Sequence, residues 1–348
     1  MNEAAPRDQI ELEERLSRPD DATRSALAAI DGDVLILGAG GKMGPTLARM
    51  ARRALDDIAP PRAGASVRRV IAVSRFSNEK QAIQLADSGV EIVRADLADP
   101  TCYQSLPKAP NVIWMVGQKF GSSGDPVGTW AHNVSAAVYG ADHCAHSRVV
   151  CFSSGNVYGR TALESGGSLE NDELSGAGEY ASSCIGRERM FEAAARRLKF
   201  PLLLYRLFYA CDLRYGVVTD IALRIFRGEP VSLLTRAVNV IWQGDANNLA
   251  LRSLNSATIP GVAVNVTGKI VLVKTIAERI AQRLEREPTY VEDTRGDLLL
   301  ANTDRVQNIM PYNGLALETL CDWAADWVHS GSELLNKPTK YDVRDGKF

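Results

Sequence analysis

Four glycines fall within seven residues at Gly38-Ala39-Gly40-Gly41-Lys42-Met43-Gly44, directly after the apolar run Val34-Leu35-Ile36-Leu37. Glycine at a strand end permits a tight turn, and backbone without Cβ atoms lets a pyrophosphate approach its N–H groups. Gly38 suits the turn, Gly41 the approach to the phosphates, and Gly44 the close packing of a following helix on the sheet. Gly40 and Met43 complete the same turn. A helix beginning there presents free N–H groups and a positive dipole end to an anion. The chemistry indicated is the binding of a dinucleotide by its pyrophosphate. Lys42, inside the turn, is placed to neutralise a phosphate, to reach a substrate, or to face solvent.

The next strand ends Val73-Ser74-Arg75. Sites for NAD place a carboxylate there to accept from the ribose hydroxyls, and a carboxylate repels a 2′-phosphate. Ser74 followed by Arg75 suits that phosphate, because a guanidinium binds it bidentately. NADP is therefore the expected cofactor, with NAD the alternative. The competing reading of Arg75 is a solvated loop arginine. Asp96-Leu97, at a third strand end, are placed to hold the adenine edge.

Other polar and aromatic groups point less sharply. His143-Cys144-Ala145-His146 offers only two histidines three residues apart, an incomplete ligand set, so no metal is expected. Phe120, Trp130, Tyr209 and Trp242 lie near expected strand ends and suit either a pocket wall or plain packing. Arg236 and Asp245 are candidates for polar substrate contacts.

The elements that must position these groups alternate apolar runs with amphipathic stretches, the pattern of a parallel sheet with crossover helices. Strands are expected at 34–37, 70–73, 91–95, 112–116, 149–152 and 202–207. Helices are expected at 45–55, 130–146 and 180–198. Beyond about residue 210 the alternation breaks down: Val238–Trp242 and Val262–Val266 read as isolated strands, Lys274–Glu285 and Leu317–Val328 as amphipathic helices. The expected fold is α/β, a Rossmann-type doubly wound parallel sheet with a smaller mixed C-terminal substrate region. The divisions are a helical extension at 1–30, a dinucleotide-binding domain at 31–210, a substrate-binding region at 211–330 and a tail at 331–348. Gly/Ser-rich stretches at 117–128 and 165–178 are expected to move on binding.

Bulk properties bound the function. The 348 residues are 45% apolar and 24% charged, with a formal net charge of -2 and no basic block, which argues against nucleic acid as the main partner. Six cysteines without a CxxC pair read as reduced thiols. No apolar run of about 18 residues suggests a membrane span, and the acidic N-terminus is unlike a signal peptide, so the expected location is the cytoplasm.

Taken together, these elements resemble the extended short-chain dehydrogenase/reductase family, the NAD(P)-dependent epimerase/dehydratase type, over about residues 33–285. Gly38, Gly41 and Gly44 fit its GxxGxxG spacing, and Ala95-Asp96-Leu97 its adenine-contact motif. Ser153-Ser154-Gly155-Asn156-Val157-Tyr158-Gly159 is similar to its active-site serine strand, Tyr205-Arg206-Leu207-Phe208 to its sixth strand, and Asn265-Val266 to a later one. Asn133 falls where the family has a structural asparagine. The resemblance implies a catalytic Ser154 and Tyr180, with a lysine four residues after the tyrosine on the same helix face. That lysine would hold the nicotinamide ribose and lower the tyrosine pKa. Here the position is Cys184, and Arg187, one turn on, is either a substitute charge or a surface ion pair.

Three readings follow. The first is an NAD(P)-dependent oxidoreductase or epimerase/dehydratase with a modified proton relay, acting on a hydroxyl or carbonyl of a small polar or sugar-like substrate. The second is an NADP-binding sensor with an incomplete catalytic site, and the third a structural scaffold. The resemblance also implies a homodimer through helices 125–146 and 180–197, where Ala136, Ala137, Ala193, Ala194 and Ala195 would allow close approach.

Overall fold

The computed structural model describes residues 4–58, 67–292, 296–337 and 339–343. Its centre is a seven-stranded sheet: β1 (Val34–Leu37), β2 (Val70–Ser74), β3 (Glu91–Arg94), β4 (Asn111–Trp114), β5 (Arg148–Ser154), β6 (Leu202–Leu207) and β7 (Val262–Val266). The strand order is β7-β6-β5-β4-β1-β2-β3 and every pairing is parallel. This is the doubly wound arrangement expected from the sequence. All four β1 residues are buried, so its apolar run covers both faces, as an inner strand of a parallel sheet requires.

Helices α1 (Gln9–Leu16), α2 (Asp21–Ala28), α3 (Gly44–Asp56), α4 (Glu79–Asp87), α5 (Pro126–Trp130), α6 (Ala136–His143), α7 (Gly178–Leu198), α8 (Val217–Arg227), α9 (Gln243–Ser256), α10 (Val273–Leu284), α11 (Asp304–Ile309) and α12 (Leu317–His329) complete the chain. Residues alternate between two cores. Val34 and Ile36 meet α2, α3 and α9 on one face, whereas Leu35 and Leu37 share the other with α6 and α7. A third core joins α8, α10 and α12 and takes in Leu12 and Leu16 of α1. Glu13 of α1 pairs with Arg49 and Arg214, both at 3.2 Å, so the N-terminal helix fastens the sheet layer to the C-terminal lobe.

Several expectations change. Val262–Val266 is not isolated: it is the edge strand β7, paired with β6. The run at 238–242 divides into Ala237–Asn239, antiparallel to Ile270–Leu272, and Ile241–Trp242, parallel to Ala210–Cys211. Helix α9, not expected from the sequence, is buried around most of its circumference, which weakens its amphipathic signature. Within the stretch at 165–178, Ser168 N–H donates to Leu300 O at 2.9 Å and Asn302 N–H to Ser168 O at 3.0 Å. Of the five alanines, Ala136, Ala137, Ala194 and Ala195 lie inside the molecule's own core with Trp114 and Phe191, so they are not the approach surface for a second copy, while Ala193 is exposed. The outer face of α5 and α6 instead exposes Val127, Trp130, Val138 and Tyr139. Of the tail at 331–348, Pro338 and residues 344–348 lie outside the described residues.

Candidate functional site

The Gly-rich turn sits at the C-terminal end of β1, where the strand order reverses between β1 and β4, the place where open α/β sheets bind ligands. Gly38 has φ +91°, and a Cβ there would lie 2.7 Å from the Met115–Val116 peptide. A Cβ on Gly40 would lie 2.6 Å from Ser74 Oγ, and one on Gly44 would collide with Ala39 O. Gly41 is different: a Cβ would meet only Gly38 O, at 3.6 Å, so this residue faces the open cleft. Met43 precedes α3 without a side-chain cap, and Pro45 opens the helix, so its first N–H groups remain available to a ligand. Such a cradle, kept empty by missing Cβ atoms, has the donors and the space a pyrophosphate needs.

Two cavities meet over this turn and share Gly38, Gly41, Met115 and Gly117. The first, about 220 Å³, runs over Ser74, Arg75, Asp96 and Leu97. The second, about 280 Å³, contains Lys42, Lys119, Ser154, Tyr180 and an aromatic wall. The sequence-derived residues thus fall along one elongated cleft. Arg75 is well exposed, and Asp96 lies 3.9 Å from its Nη1. Leu97 is buried and its carbonyl accepts from Tyr103 Oη at 2.8 Å.

Lys42 leaves the turn towards the second cavity. Its Nζ donates to Ala210 O at 3.1 Å and lies 4.1 Å from the Tyr215 ring centre, so of its three placements the solvent-facing one is excluded. Burial pushes its pKa down.

Ser154 ends β5 and Tyr180 opens α7, and both line the second cavity, where Ser154 Oγ donates to Asn156 Oδ1 and accepts from the Asn156 N–H, each at 3.2 Å. The Cys184 thiol stands beside the phenol. Burial, reinforced by that thiol, holds the Tyr180 pKa well above its ordinary range, while Arg187 and Ser154 pull it down. Arg187 is not on the surface. It is buried, donating Nη1 to Val116 O at 2.7 Å and Nη2 to Cys184 Sγ at 3.1 Å. A fixed positive charge therefore stands beside Cys184, supplied from the next turn of the helix. Asn133, fully buried, accepts from Gln118 N–H at 2.7 Å and donates to Ser183 Oγ at 2.8 Å, joining the loop after β4 to α7.

That loop carries a residue the sequence did not single out. Lys119 Nζ lies 5.9 Å from the Tyr180 ring centre inside the second cavity. Burial lowers its pKa to about 8, assisted by the charge of Lys42 and opposed by Cys184. Its only signal was a cation in a Gly-rich loop after a strand, and no periodicity aims such a side chain.

Of the aromatic candidates, Phe120 and Tyr209 line the second cavity. Trp130 instead donates to Glu179 Oε2 at 2.6 Å, and Trp242 packs on Trp323 with ring centres 5.7 Å apart. Asp245 lies away from the cleft and accepts from Leu315 N–H at 2.7 Å, with burial raising its pKa to about 6. Arg236 is not among the residues lining either cavity. His143 Nε2 bonds Pro107 O at 3.1 Å.

A doubly wound sheet with a glycine cradle at its switch point, facing a serine–tyrosine pair, defines a dinucleotide-fold protein of the short-chain dehydrogenase kind. The chain belongs to the NAD dependent epimerase/dehydratase family, whose model matches residues 34–237. A search of curated proteins returns no match. Among solved structures it is similar to MoeE5 in complex with UDP-glucose and NAD, at 22% identity and TM-score 0.66, covering 86% of this chain and 99% of that one. It is also similar to a dTDP-glucose 4,6-dehydratase from Bacillus anthracis in complex with NAD, at 14% identity and TM-score 0.69, covering 86% and 97%. A UDP-glucuronic acid 4-epimerase from Bacillus cereus in complex with NAD matches at 15% identity and TM-score 0.66, covering 86% and 96%. At these identities the likeness is one of fold. Among the described residues no helix is long and apolar enough to cross a membrane.

Proposed function

We propose that the protein is a nicotinamide-dinucleotide-dependent oxidoreductase or epimerase/dehydratase acting on a carbonyl or hydroxyl of a small substrate. The observation that carries this reading is that Ser154 and Tyr180 line one cavity continuous with the glycine cradle. The pyrophosphate would be held by the turn Gly38–Gly44 and the first N–H groups of α3, and the adenosine end by Ser74, Arg75, Asp96 and Leu97. Bound there, the dinucleotide supplies hydride chemistry. Ser154 orients the substrate oxygen by donating a hydrogen bond. Tyr180 holds the proton at Oη and, with its pKa held high, serves as an acid towards that oxygen far better than as a base. Arg187 offsets part of the charge left on the phenolate, the role for which the family's lysine is absent. Such a site favours reduction of a carbonyl over oxidation of an alcohol.

Arg75 supports NADP, because its exposed guanidinium borders the first cavity and is free of a close bidentate carboxylate. The exposed apolar face of α5 and α6 supports a homodimer, and the reduced cysteines support a cytoplasmic location.

The test is dinucleotide binding by fluorescence combined with turnover of carbonyl compounds. NADPH is expected to bind at least fivefold tighter than NADH, and Arg75→Ser to erase that preference. Tyr180→Phe is expected to bind the dinucleotide normally and lose at least a hundredfold in kcat. A second reading, a dinucleotide sensor, is favoured by Cys184 in place of the lysine. It prevails if NADPH binds and no carbonyl compound is reduced by either the wild-type protein or Tyr180→Phe.

A further inference from the structure

A phenol that gives up its proton in a buried cavity leaves a phenolate, and the cations around it set how costly that is. On its own helix Tyr180 is followed one turn later by Cys184, a thiol whose pKa burial raises. Arg187 is the cation of the same helix, but its guanidinium is buried, donates to Val116 O and Cys184 Sγ, and does not line the second cavity. Lys119 does line it, and its Nζ lies 5.9 Å from the Tyr180 ring centre. At that range a cation is drawn to an aromatic face.

A lysine on a loop has no fixed direction of its own, yet the backbone leading to Lys119 is pinned. Val116 O accepts from Arg187 Nη1 at 2.7 Å. Gln118 N–H donates to Asn133 Oδ1 at 2.7 Å, and Gln118 O accepts from Asn133 Nδ2 at 3.1 Å. Gly117, between them, has no room for a side chain: a Cβ there would collide with Arg187 Nη1 and lie 2.8 Å from Asn133 Oδ1. The loop is thus pressed onto α7 directly before Lys119, which brings the ammonium to the helix that carries Tyr180.

We propose that Lys119 is a positioning residue that acts through Tyr180, supplying from the cavity side the counter-charge to the phenolate formed when Tyr180 protonates a substrate oxygen. In that step the Oη–H bond breaks, the proton goes to the substrate oxygen, and the electron pair stays on the phenolate. The proposal rests on the reading of Tyr180 as the acid of the site. The attraction of ammonium to ring is weak while the phenol is neutral and becomes a full charge–charge attraction in the phenolate, so it grows as the proton leaves. Across about 6 Å, at an effective dielectric constant of about 40, that attraction amounts to about tenfold in the ionisation of the phenol. Burial, assisted by Lys42 and opposed by Cys184, lowers the ammonium pKa to about 8, so its charge is present at neutral pH and fades above that. The other titratable groups around the pair are Lys42 from the turn after β1, Cys184 and Arg187 from α7, and Tyr209 and Tyr215 from the segment after β6.

The test reads the phenol itself, on the full-length protein without added dinucleotide. Tyr180 is replaced by 2,3,5-trifluorotyrosine, whose phenol ionises more readily, and its ionisation is followed by fluorine NMR. The titration is repeated with Lys119→Gln and with Lys119→Arg, and Tm is measured on each. Lys119→Gln is expected to give an ionisation constant about tenfold smaller than Lys119→Arg, whose charge persists throughout the titration, with Lys119 itself between the two. A ratio below about threefold overturns the proposal. So does a phenol that fails to ionise in Lys119→Arg over the pH range in which the fold persists. If Lys119 only holds its loop, both substitutions lower Tm and leave the two ionisation constants equal, which also overturns it. Coupling at the phenol, together with no reduction of any carbonyl compound by the wild-type protein, would instead sink the oxidoreductase reading and leave the charge assignment standing.

Discussion

Glu188 and Arg206 form an ion pair beneath the site, and its loss should be measurable. Glu188 Oε2 lies 2.7 Å from Arg206 Nη2, and Oε1 accepts from Nε at 3.0 Å, with the two side chains 0% and 4% exposed. The same Oε1 accepts from Ser153 Oγ at 2.5 Å, and Arg206 Nη1 also donates to Tyr158 Oη at 2.6 Å and Glu170 O at 2.8 Å. Glu188 belongs to α7, Ser153 to β5 and Arg206 to β6, so the pair fastens the helix carrying Tyr180 to the strand carrying Ser154. Glu188→Ala removes both guanidinium bonds and the Ser153 acceptor and leaves a cation in the interior. Breaking a buried pair from one side costs about 3–5 kcal/mol. At roughly 2.1 cal/mol/K per residue over 348 residues, that cost lowers Tm by roughly 4–7 °C. Glu188→Leu combined with Arg206→Met removes both charges. It leaves Ser153, Tyr158 and the Glu170 carbonyl each short of a partner, at about 1 kcal/mol apiece. The double variant should therefore lose about 3 kcal/mol, far less than the sum of the two single losses. Urea unfolding of wild type, singles and double, followed by circular dichroism, gives the coupling energy directly. A Glu188→Ala cost below about 1 kcal/mol, or a double variant as unstable as the sum of its parts, refutes the reasoning.

Other consequences follow from single positions. Gly44→Ala places a Cβ against Ala39 O, so α3 must shift off the turn; a loss of about 1–3 kcal/mol in stability is expected, with dinucleotide affinity reduced more than tenfold in a fluorescence titration. Asp245, its pKa raised to about 6 by burial, holds its proton in the folded state where the unfolded chain has released it. Stability should therefore fall as pH rises from about 4 to 6, by up to about 3 kcal/mol. Asp245→Asn keeps an acceptor for Leu315 N–H and carries no charge, so its Tm should be flat over that window and higher than wild type at pH 7. Val138→Asp, on the exposed face beside Tyr139, should convert a dimer to a monomer in light scattering without changing the far-ultraviolet spectrum; an unchanged mass would move the dimer surface elsewhere.

The sequence by itself determined the local parts. Apolar runs of strand length, the spacing of Gly38, Gly41 and Gly44, and the Ser74-Arg75 pair are short-range signals, each decided by backbone sterics or by the chemistry of neighbouring residues. They sufficed for all seven central strands as strands, though not for the place of the last one in the sheet. Helix α9 escaped because it is buried on most sides and its amphipathic period is weak, whereas β7 was legible as a strand and only its pairing with β6 was not. Tertiary structure alone decided the charges at the reactive end. Arg187 was legible as sharing a helix face with Cys184, yet whether that face met solvent or the interior depended on where α7 packs. Lys119 was legible only as a lysine in a loop, because a flexible side chain on irregular backbone has no direction until the surrounding walls supply one. The glycine cradle could be read from residue order because its function lies in backbone that lacks Cβ atoms. The cavity beside it, with Lys42, Lys119, Ser154 and Tyr180, could not, because its side chains arrive from segments far apart along the chain.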